Sequence, residues 1–146
     1  FKKYYGVNSK VFSEICIDYN NNQNTPFERK DILKVIWVGN FDSSKNLQPL
    51  LRAKYNLQIK NINFELTICG SGDQETNWKK YAQDLRLTNV IWTGKISRKK
   101  VLDKMSKSHV YITTSLKDLT STTLIEAISS GLKSWMSPPR GTPSTI

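Results

Sequence analysis

Short apolar runs alternate with longer amphipathic segments along most of this chain. The runs KVIWVGN (34–40), FELTICG (64–70), NVIWTG (89–94) and HVYITTS (109–115) are rich in β-branched and aromatic residues and have the length of buried strands. KSWMS (133–137) is a weaker fifth run. The pattern therefore predicts four or five strands separated by helices.

The segments between the runs carry apolar residues at helical spacing. Leu47, Leu50 and Leu51 share one face of the first such segment, and two later segments repeat the pattern around Trp78 and Met105. Strand–loop–helix units of this size join through right-handed crossovers, which place parallel strands in one sheet. We therefore predict an α/β fold: a Rossmann-like parallel sheet with helices on both faces.

The loops that follow the predicted strands are rich in Gly, Ser, Thr and Lys. Because the strands are parallel, these loops share one rim of the sheet, where ligands of such folds bind. Glycine lets a backbone approach a ligand or turn sharply, although each glycine taken alone is more typical of a simple turn. The glycines on this rim are Gly39, Gly70, Gly72 and Gly94.

The segment DLTSTTLIEAISSG (118–131) says most about function. Its small hydroxyl residues before an apolar run predict a helix N-terminus, whose free amides also suit an anion. Asp118 precedes that terminus, and Glu126 lies amid apolar residues, where an unpaired carboxylate is costly to bury. Lys45, in the first rim loop, could reach a phosphate on the same rim. Taken alone, Lys45 fits an exposed loop lysine better than a phosphate ligand. Asp118 and Glu126 also have simple alternatives, as a helix N-terminal acid and a solvated helix residue.

The composition is that of one folded domain. The chain has 146 residues, 38% of them hydrophobic, and no apolar run approaches the roughly 20 residues that span a bilayer. Cys16 and Cys69 fit reduced thiols of a cytosolic protein better than a disulfide. The net charge of +10 favours an anionic partner, although a solvated lysine-rich surface would explain it equally well.

Missing motifs exclude several kinds of site. A single histidine, His109, and the lack of a Cys/His cluster exclude a zinc site. No G-x4-G-K-[ST] phosphate loop occurs, and Glu75 stands where a dinucleotide fingerprint would have its third glycine. The basic series at 95–107 has no interleaved aromatic residues, so we expect no nucleic-acid partner. We interpret the basic series as a solvent-exposed helix face, and the alternative is a surface that contacts anionic lipid.

The order of these motifs resembles the C-terminal, donor-binding domain of a GT-B glycosyltransferase, most like glycosyltransferase family 4. The resemblance covers nearly the whole chain, from about Gly6 to its end, and its strength lies in the combination of motifs. The matching segments are GVNSKVF (6–12), which is similar to the segment that enters the domain; VGNFDSSKN (38–46), to the V-G-R-x4-K-G loop; ICGSGD (68–73), to a G-x-G turn; VIWTGKIS (90–97), to the strand before the nucleotide base; TTSLKDLTSTTLIEAISSG (113–131), to the E-x7-E motif; and SPPRGTPSTI (137–146), to a loop ending G-T-P-E-x-I.

The resemblance implies a retaining enzyme that takes a nucleoside diphosphate sugar and needs no metal or other cofactor. The expected catalytic residues are Lys45, which would neutralise the departing diphosphate, and Asp118, which would hold sugar hydroxyls. Glu126 would accept hydrogen bonds from the two ribose hydroxyls. The other expected donor contacts are Gly39, Asn40, Gly70, Gly72 and Gly94, the backbone of Lys95 and Ile96 at the base, Thr114 and Ser115 in the pocket wall, and the amides of Ser121, Thr122 and Thr123 at the diphosphate.

The chain departs from the family pattern at several positions, two of which, Asn40 and Asp118, would touch the donor. Asn40 replaces an arginine and removes one cation, and Asp118 replaces a glutamate that is longer by one methylene. Asn46 replaces a glycine, and Ser144 replaces a glutamate. These departures keep open a degenerate, weakly active or differently specific enzyme, and Asn40 and Asp118 also suggest a non-catalytic nucleotide-binding or interaction module on the same fold. A GT-B sugar-nucleotide epimerase is a further alternative.

The same resemblance suggests the domain organisation. We expect residues 1–30 to lead in from a missing N-terminal domain and residues 31–146 to form the nucleotide-sugar-binding domain, truncated at its C-terminus. A glycan or lipid-linked acceptor would bind through the missing domain, so this fragment alone should transfer little sugar. We expect a hexosyltransferase of polysaccharide biosynthesis that is cytoplasmic, with peripheral contact to the inner face of a membrane as an option.

Overall fold

The computed structural model describes residues 32–116 and 122–136. In this part of the chain the strands are β1 (Lys34–Val38), β2 (Glu65–Cys69), β3 (Val90–Gly94), β4 (Val110–Thr113) and β5 (Lys133–Met136). The helices between them are α1 (Gln48–Gln58), α2 (Glu75–Asp84), α3 (Arg98–Ser106) and α4 (Thr122–Ser129). Every predicted strand is present, including the weak fifth run. The expected lead-in segment at 1–30, Cys16 and the loop at 137–146 lie outside the described residues.

All paired strands are parallel, in the order β3-β2-β1-β4-β5. The chain moves outward from β1 to β3 and then returns to place β4 on the other side of β1. The connections that leave β1 and β4 therefore run in opposite directions, which opens a crevice at the carboxyl ends of these two strands. The predicted Rossmann-like fold is confirmed.

Each face of the sheet has its own hydrophobic core. Successive strand residues point to opposite faces, so Val35 and Trp37 enter one core while Ile36 enters the other. The first core is closed by α1 and α2, and the second by α3 and α4 through Met105 and Ala127. Because both faces are covered, the central strands have the continuous apolar runs seen in the sequence.

An aromatic cluster links the first core to the rim. The ring centroids of Trp37 and Trp78 are 6.0 Å apart at an interplanar angle of 87°. Phe41, from the loop after β1, lies 5.2 Å from Trp78 and 6.0 Å from Trp92. Tilted and edge-on aromatic pairs of this kind stabilise the folded chain by more than their buried area alone would give. They fasten the first rim loop to the core beneath it.

Lys54 is a charged residue on the buried face of α1, with 1% of its surface exposed. Its Nζ donates to the carbonyl of Phe64 at 2.6 Å and lies 4.2 Å from the centroid of the Phe64 ring. Burial lowers the pKa of the Lys54 ammonium below its usual 10.5. Phe64 immediately precedes β2, so this lysine lies at the end of the sheet opposite the rim loops.

Candidate functional site

A cleft of about 340 Å³ opens at the carboxyl ends of the strands, where the topology leaves its crevice. Its walls come from β1 and the loop after it, from the ends of β2 and β4, from the segment that leads into α3, and from the start of α4. The lining residues that the sequence predicted are Gly39, Asn40, Lys45, Gly70, Lys95, Ile96 and Thr123. The cleft therefore lies on the rim to which the sequence assigned these residues, and their contact with a ligand stays a prediction.

The loops after β1 and β2 cross at very close range. The amide of Gly39 donates to the Cys69 carbonyl at 3.1 Å, and that of Phe41 donates to the Ser71 carbonyl at 2.9 Å. Gly70 has a φ of 141°, and a Cβ on it would lie 1.9 Å from the carbonyl oxygen of Gly39. Only glycine fits this crossing, so Gly70 shapes the cleft as well as lining it.

Gly72 and Gly94 stand outside the lining of the cleft. A Cβ on Gly72 would lie 2.5 Å from the backbone oxygen of Phe41, so this glycine makes room for the first rim loop. Gly94 accepts a hydrogen bond from the Gly70 amide at 3.1 Å. The structure gives both a role in loop packing, and their contact with a donor stays a prediction.

The loop that carries Lys45 is organised by Asp42. The Asp42 Oδ1 accepts from the amides of Ser44 and Lys45, at 2.8 and 3.2 Å, and from the Ser44 hydroxyl. The hydrogen bond from that hydroxyl is the largest influence that lowers the pKa of Asp42. Asn46, in the place of the family's glycine, has a φ of 43°. Asparagine tolerates this left-handed conformation, so the departure preserves the turn.

Thr114 ties this loop to the end of β4. Its hydroxyl accepts from Trp37 Nε1 at 3.0 Å and donates to the Lys45 carbonyl at 2.6 Å. The amide of Leu116 donates to the Ser44 carbonyl at 2.8 Å. Thr114 was expected in the pocket wall, but its preceding residue Thr113 lines the cleft instead. A direct contact between Thr114 and a donor stays a prediction.

Ser115, the other residue expected in the wall, has a buried hydroxyl oxygen that makes no hydrogen bond. It is the only such side-chain atom among residues 32–116 and 122–134. Buried hydroxyls are normally paired, so this oxygen retains its capacity to bind a ligand.

The predicted helix N-terminus is present, since α4 begins at Thr122. Thr122 is exposed and Thr123 lines the cleft, and the amides of a first turn have no intrahelical acceptor. Lys95 and Ile96 lead into α3, with Lys95 exposed and Ile96 packed against the second core. Asp118 and Ser121 lie outside the described residues.

Glu126 has a partner that the sequence did not suggest. Its Oε1 accepts from Arg98 Nε at 2.8 Å and from Arg98 Nη2 at 2.7 Å. Glu126 therefore satisfies the expectation that a carboxylate among apolar residues needs a partner. It does not line the cleft, and its contact with a ribose stays a prediction.

Five further residues line the cleft without having been predicted: Trp37, Val38, Cys69, Val101 and Thr113. Three of them, Val38, Cys69 and Thr113, are the last residues of their strands. Because ligands bind at the carboxyl ends of parallel strands, this position in the sequence could have predicted them. Burial raises the pKa of the Cys69 thiol, so it forms an uncharged part of the floor. Within the described ranges, no group of three His, Cys, Asp or Glu residues could hold a metal ion, and no helix is long and apolar enough to cross a membrane.

Solved glycosyltransferases of the GT-B type share this fold. The lipopolysaccharide outer core galactosyltransferase WaaB matches with a TM-score of 0.74 and 23% identity, over 87% of this chain and 36% of its own. The catalytic domain of the cholesterol-α-glucosyltransferase from Helicobacter pylori matches with a TM-score of 0.66 and 22% identity, over 73% of this chain and 65% of its own. The pneumococcal O-GlcNAc transferase GtfA, solved with UDP and GlcNAc, matches with a TM-score of 0.64 and 20% identity. The match covers 72% of this chain and 20% of GtfA.

The chain thus spans little more than a third of WaaB. A search of curated protein sequences finds no match. The family described as "Glycosyl transferases group 1" matches residues 18–146, which is most of the chain. Together with the shared fold and the cleft at its switch point, this match shows that the chain belongs to the glycosyl transferases group 1 family.

Proposed function

We propose that this chain forms the donor-binding half of a retaining glycosyltransferase, and that its cleft binds a nucleoside diphosphate sugar. One observation carries the proposal: Lys45, Lys95 and the start of α4 meet at the switch-point cleft of a chain from a glycosyl-transferring family. In folds of this type the switch point is the usual ligand site.

The charge of the cleft supports an anionic ligand. Lys45 and Lys95 are the charged residues in its described lining, and no carboxylate is among them. The positive end of the α4 dipole adds to this potential near Thr123. A diphosphate is the part of a nucleotide sugar that such a lining would favour.

The proposed chemistry follows from where charge develops. As the bond between the sugar and the diphosphate breaks, negative charge grows on the leaving phosphate, and Lys45 stabilises it. Asp42 and Thr114 hold the Lys45 loop in place beforehand, so little reorganisation is needed. In the same proposal Glu126 binds the ribose, the backbone of Lys95 and Ile96 meets the base, and Asp118 holds sugar hydroxyls.

The acceptor and the cellular location are proposed for the whole protein and not for this chain alone. We propose a glycan or lipid-linked acceptor held by an N-terminal domain beyond this chain, since the related WaaB is much longer. A role in polysaccharide biosynthesis on the cytoplasmic side, with peripheral membrane contact, fits the basic series at 95–107. GtfA was solved with UDP, which makes UDP the first nucleotide to test.

Titration with UDP, GDP and ADP, followed by backbone amide shifts, tests the proposal. At least one nucleotide should shift the amides of Lys95, Thr123 and Glu126 and leave that of Lys60, in the turn after α1, unchanged. No shift at the cleft with any of the three nucleotides would overturn it.

A non-catalytic nucleotide-binding module is the second candidate, because Asn40 lines the cleft where the family has an arginine. The whole protein, given nucleotide sugar and acceptor lipids or glycans, separates the two. An enzyme releases nucleoside diphosphate, and Lys45→Ala slows that release. A module binds the nucleotide sugar and leaves it intact.

A further inference from the structure

Arg98 and Glu126 join two neighbouring helices beside the cleft. Arg98 is the first residue of α3, and Glu126 lies within α4. Two of the three guanidinium nitrogens, Nε and Nη2, contact the same carboxylate oxygen, Oε1, at 2.8 and 2.7 Å. Among the described residues, the other oxygen, Oε2, has no hydrogen-bond donor.

The two side chains differ in exposure in a way that sets this pair apart from an ordinary surface salt bridge. The Glu126 side chain is 13% exposed, whereas that of Arg98 is 72% exposed. A carboxylate so largely removed from water is costly to bury unless charge-assisted hydrogen bonds satisfy it. Arg98 supplies two of them.

The pair also compensates an unfavourable charge on α3. A cation at a helix N-terminus faces the positive end of the dipole, and the first turn of α3 has no acidic residue. Glu126 brings the missing negative charge from the neighbouring helix. The pairing therefore stabilises both side chains, and the two hydrogen bonds fix the orientation of the Glu126 carboxylate.

We propose that Arg98 is a positioning residue for the donor nucleotide: it fixes Glu126 through Oε1 and leaves Oε2 to accept hydrogen bonds from the ribose. The inference rests on the proposed function, in which Glu126 binds the ribose hydroxyls. One carboxylate oxygen has two acceptor positions, which is enough for the 2′- and 3′-hydroxyls together. Arg98 thereby sets the preference of the cleft for ribose over deoxyribose.

Arg98 has a second effect, through charge. Paired with the guanidinium, Glu126 adds no net charge beside a site that takes a diphosphate. Without Arg98 the carboxylate would repel the diphosphate and turn more freely. A lysine would restore the charge but could not place two donors on one oxygen with the same fixed geometry.

Binding of a nucleoside diphosphate and of its 2′-deoxy analogue to the whole protein tests the inference. The nucleotide is whichever of UDP, GDP or ADP binds, and the variants are Arg98→Ala, Arg98→Gln, Arg98→Lys and Lys99→Ala. We expect the unaltered protein to prefer the ribose form by about 10-fold or more, as for hydrogen bonds to a charged group. Arg98→Ala and Arg98→Gln should bring that ratio close to one, and Arg98→Lys should give an intermediate value.

Lys99→Ala is the matched control, because Lys99 is an exposed neighbour in the same helical turn. It should keep the full ratio. Partial unfolding of a variant would weaken the binding of both nucleotides equally and leave the ratio of their affinities unchanged. A change in that ratio therefore indicates a positioning role and not structural support alone. A ribose preference that persists in Arg98→Ala would overturn the inference while leaving the proposed function intact. Absence of nucleotide binding by the unaltered protein would overturn both.

Discussion

A hydrogen bond of 2.6 Å joins the Thr114 hydroxyl to the Lys45 carbonyl across 69 positions of sequence. The same hydroxyl accepts from the Trp37 indole at 3.0 Å, so it serves as donor and acceptor at once. One side chain at the end of β4 therefore holds together β1 and the loop that carries the proposed catalytic lysine. The position of Lys45 depends on this buried threonine as much as on its own loop.

Replacing Thr114 by valine keeps the shape of the side chain but removes both hydrogen bonds. The Trp37 Nε1 would then lose the acceptor seen in the structure and the Lys45 carbonyl would lose its bond from Thr114, so the free energy of unfolding should fall by about 1–3 kcal/mol. Urea denaturation measures this change. Thr114→Ser, which keeps the hydroxyl, should recover most of the loss, and a valine variant as stable as the unaltered protein would contradict the role given to Thr114.

Lys45→Met should slow sugar transfer by the whole protein about 100- to 1,000-fold, the usual effect of removing one group that stabilises developing charge. Initial rates with nucleotide sugar and acceptor measure it. Lys60→Met is the matched control, because Lys60 is exposed and lies in the turn after α1, away from the cleft lining. Equal rates for the two variants would remove Lys45 from the mechanism.

Gly70→Ala and Gly94→Ala should differ sharply in stability. A Cβ on Gly70 meets the Gly39 oxygen at 1.9 Å, so the two rim loops must separate, and we expect a loss of at least about 3 kcal/mol. Gly94 has a φ of 67° but no heavy atom within 4 Å of an added Cβ. The free energy of unfolding of Gly94→Ala should therefore fall only by the cost of a left-handed backbone at alanine, about 1–2 kcal/mol. Denaturant midpoints compare them, and equal losses would refute the close crossing.

Lys54→Met should change how stability depends on pH. Burial lowers the pKa of Lys54 in the folded chain below the 10.5 of the unfolded chain. Between these two values the unfolded chain binds more protons, so the contribution of Lys54 to the free energy of unfolding rises with pH. Below this window the cost of the buried ammonium is present in full. The stability of the unaltered protein should thus improve relative to Lys54→Met as pH rises towards 10.5, and parallel pH curves would contradict this.

The fold could be predicted because its signals are local. Each strand is a short apolar run, and the two-sided burial of a parallel sheet explains why those runs are continuous. Even KSWMS, the weakest run, forms β5 beside β4. The rim followed from topology alone, because parallel strands end at one edge, and the cleft lies at that edge with Lys45, Lys95 and Thr123 in its lining.

What the sequence did not suggest depends on contacts between distant segments. Arg98 reaches Glu126 only because α3 and α4 pack side by side, and nothing near either residue indicates that pairing. The sequence did not show whether the Thr114 side chain faces the cleft or the core. In the structure it is buried and bonds Trp37 and Lys45, whereas Thr113 lines the cleft. Lys54 lies among apolar neighbours on α1 and is satisfied by a carbonyl that precedes β2.

Trp37 belongs to the aromatic cluster and to the wall of the cleft at the same time. It is 1% exposed, and its indole nitrogen is bonded to Thr114. A fluorophore in this position senses the polarity of whatever enters the cleft, and it is released to water when the core melts. The chain has four tryptophans, so we expect the Trp37 share of the emission to report on ligand occupancy and the emission as a whole to report on unfolding, without an attached dye.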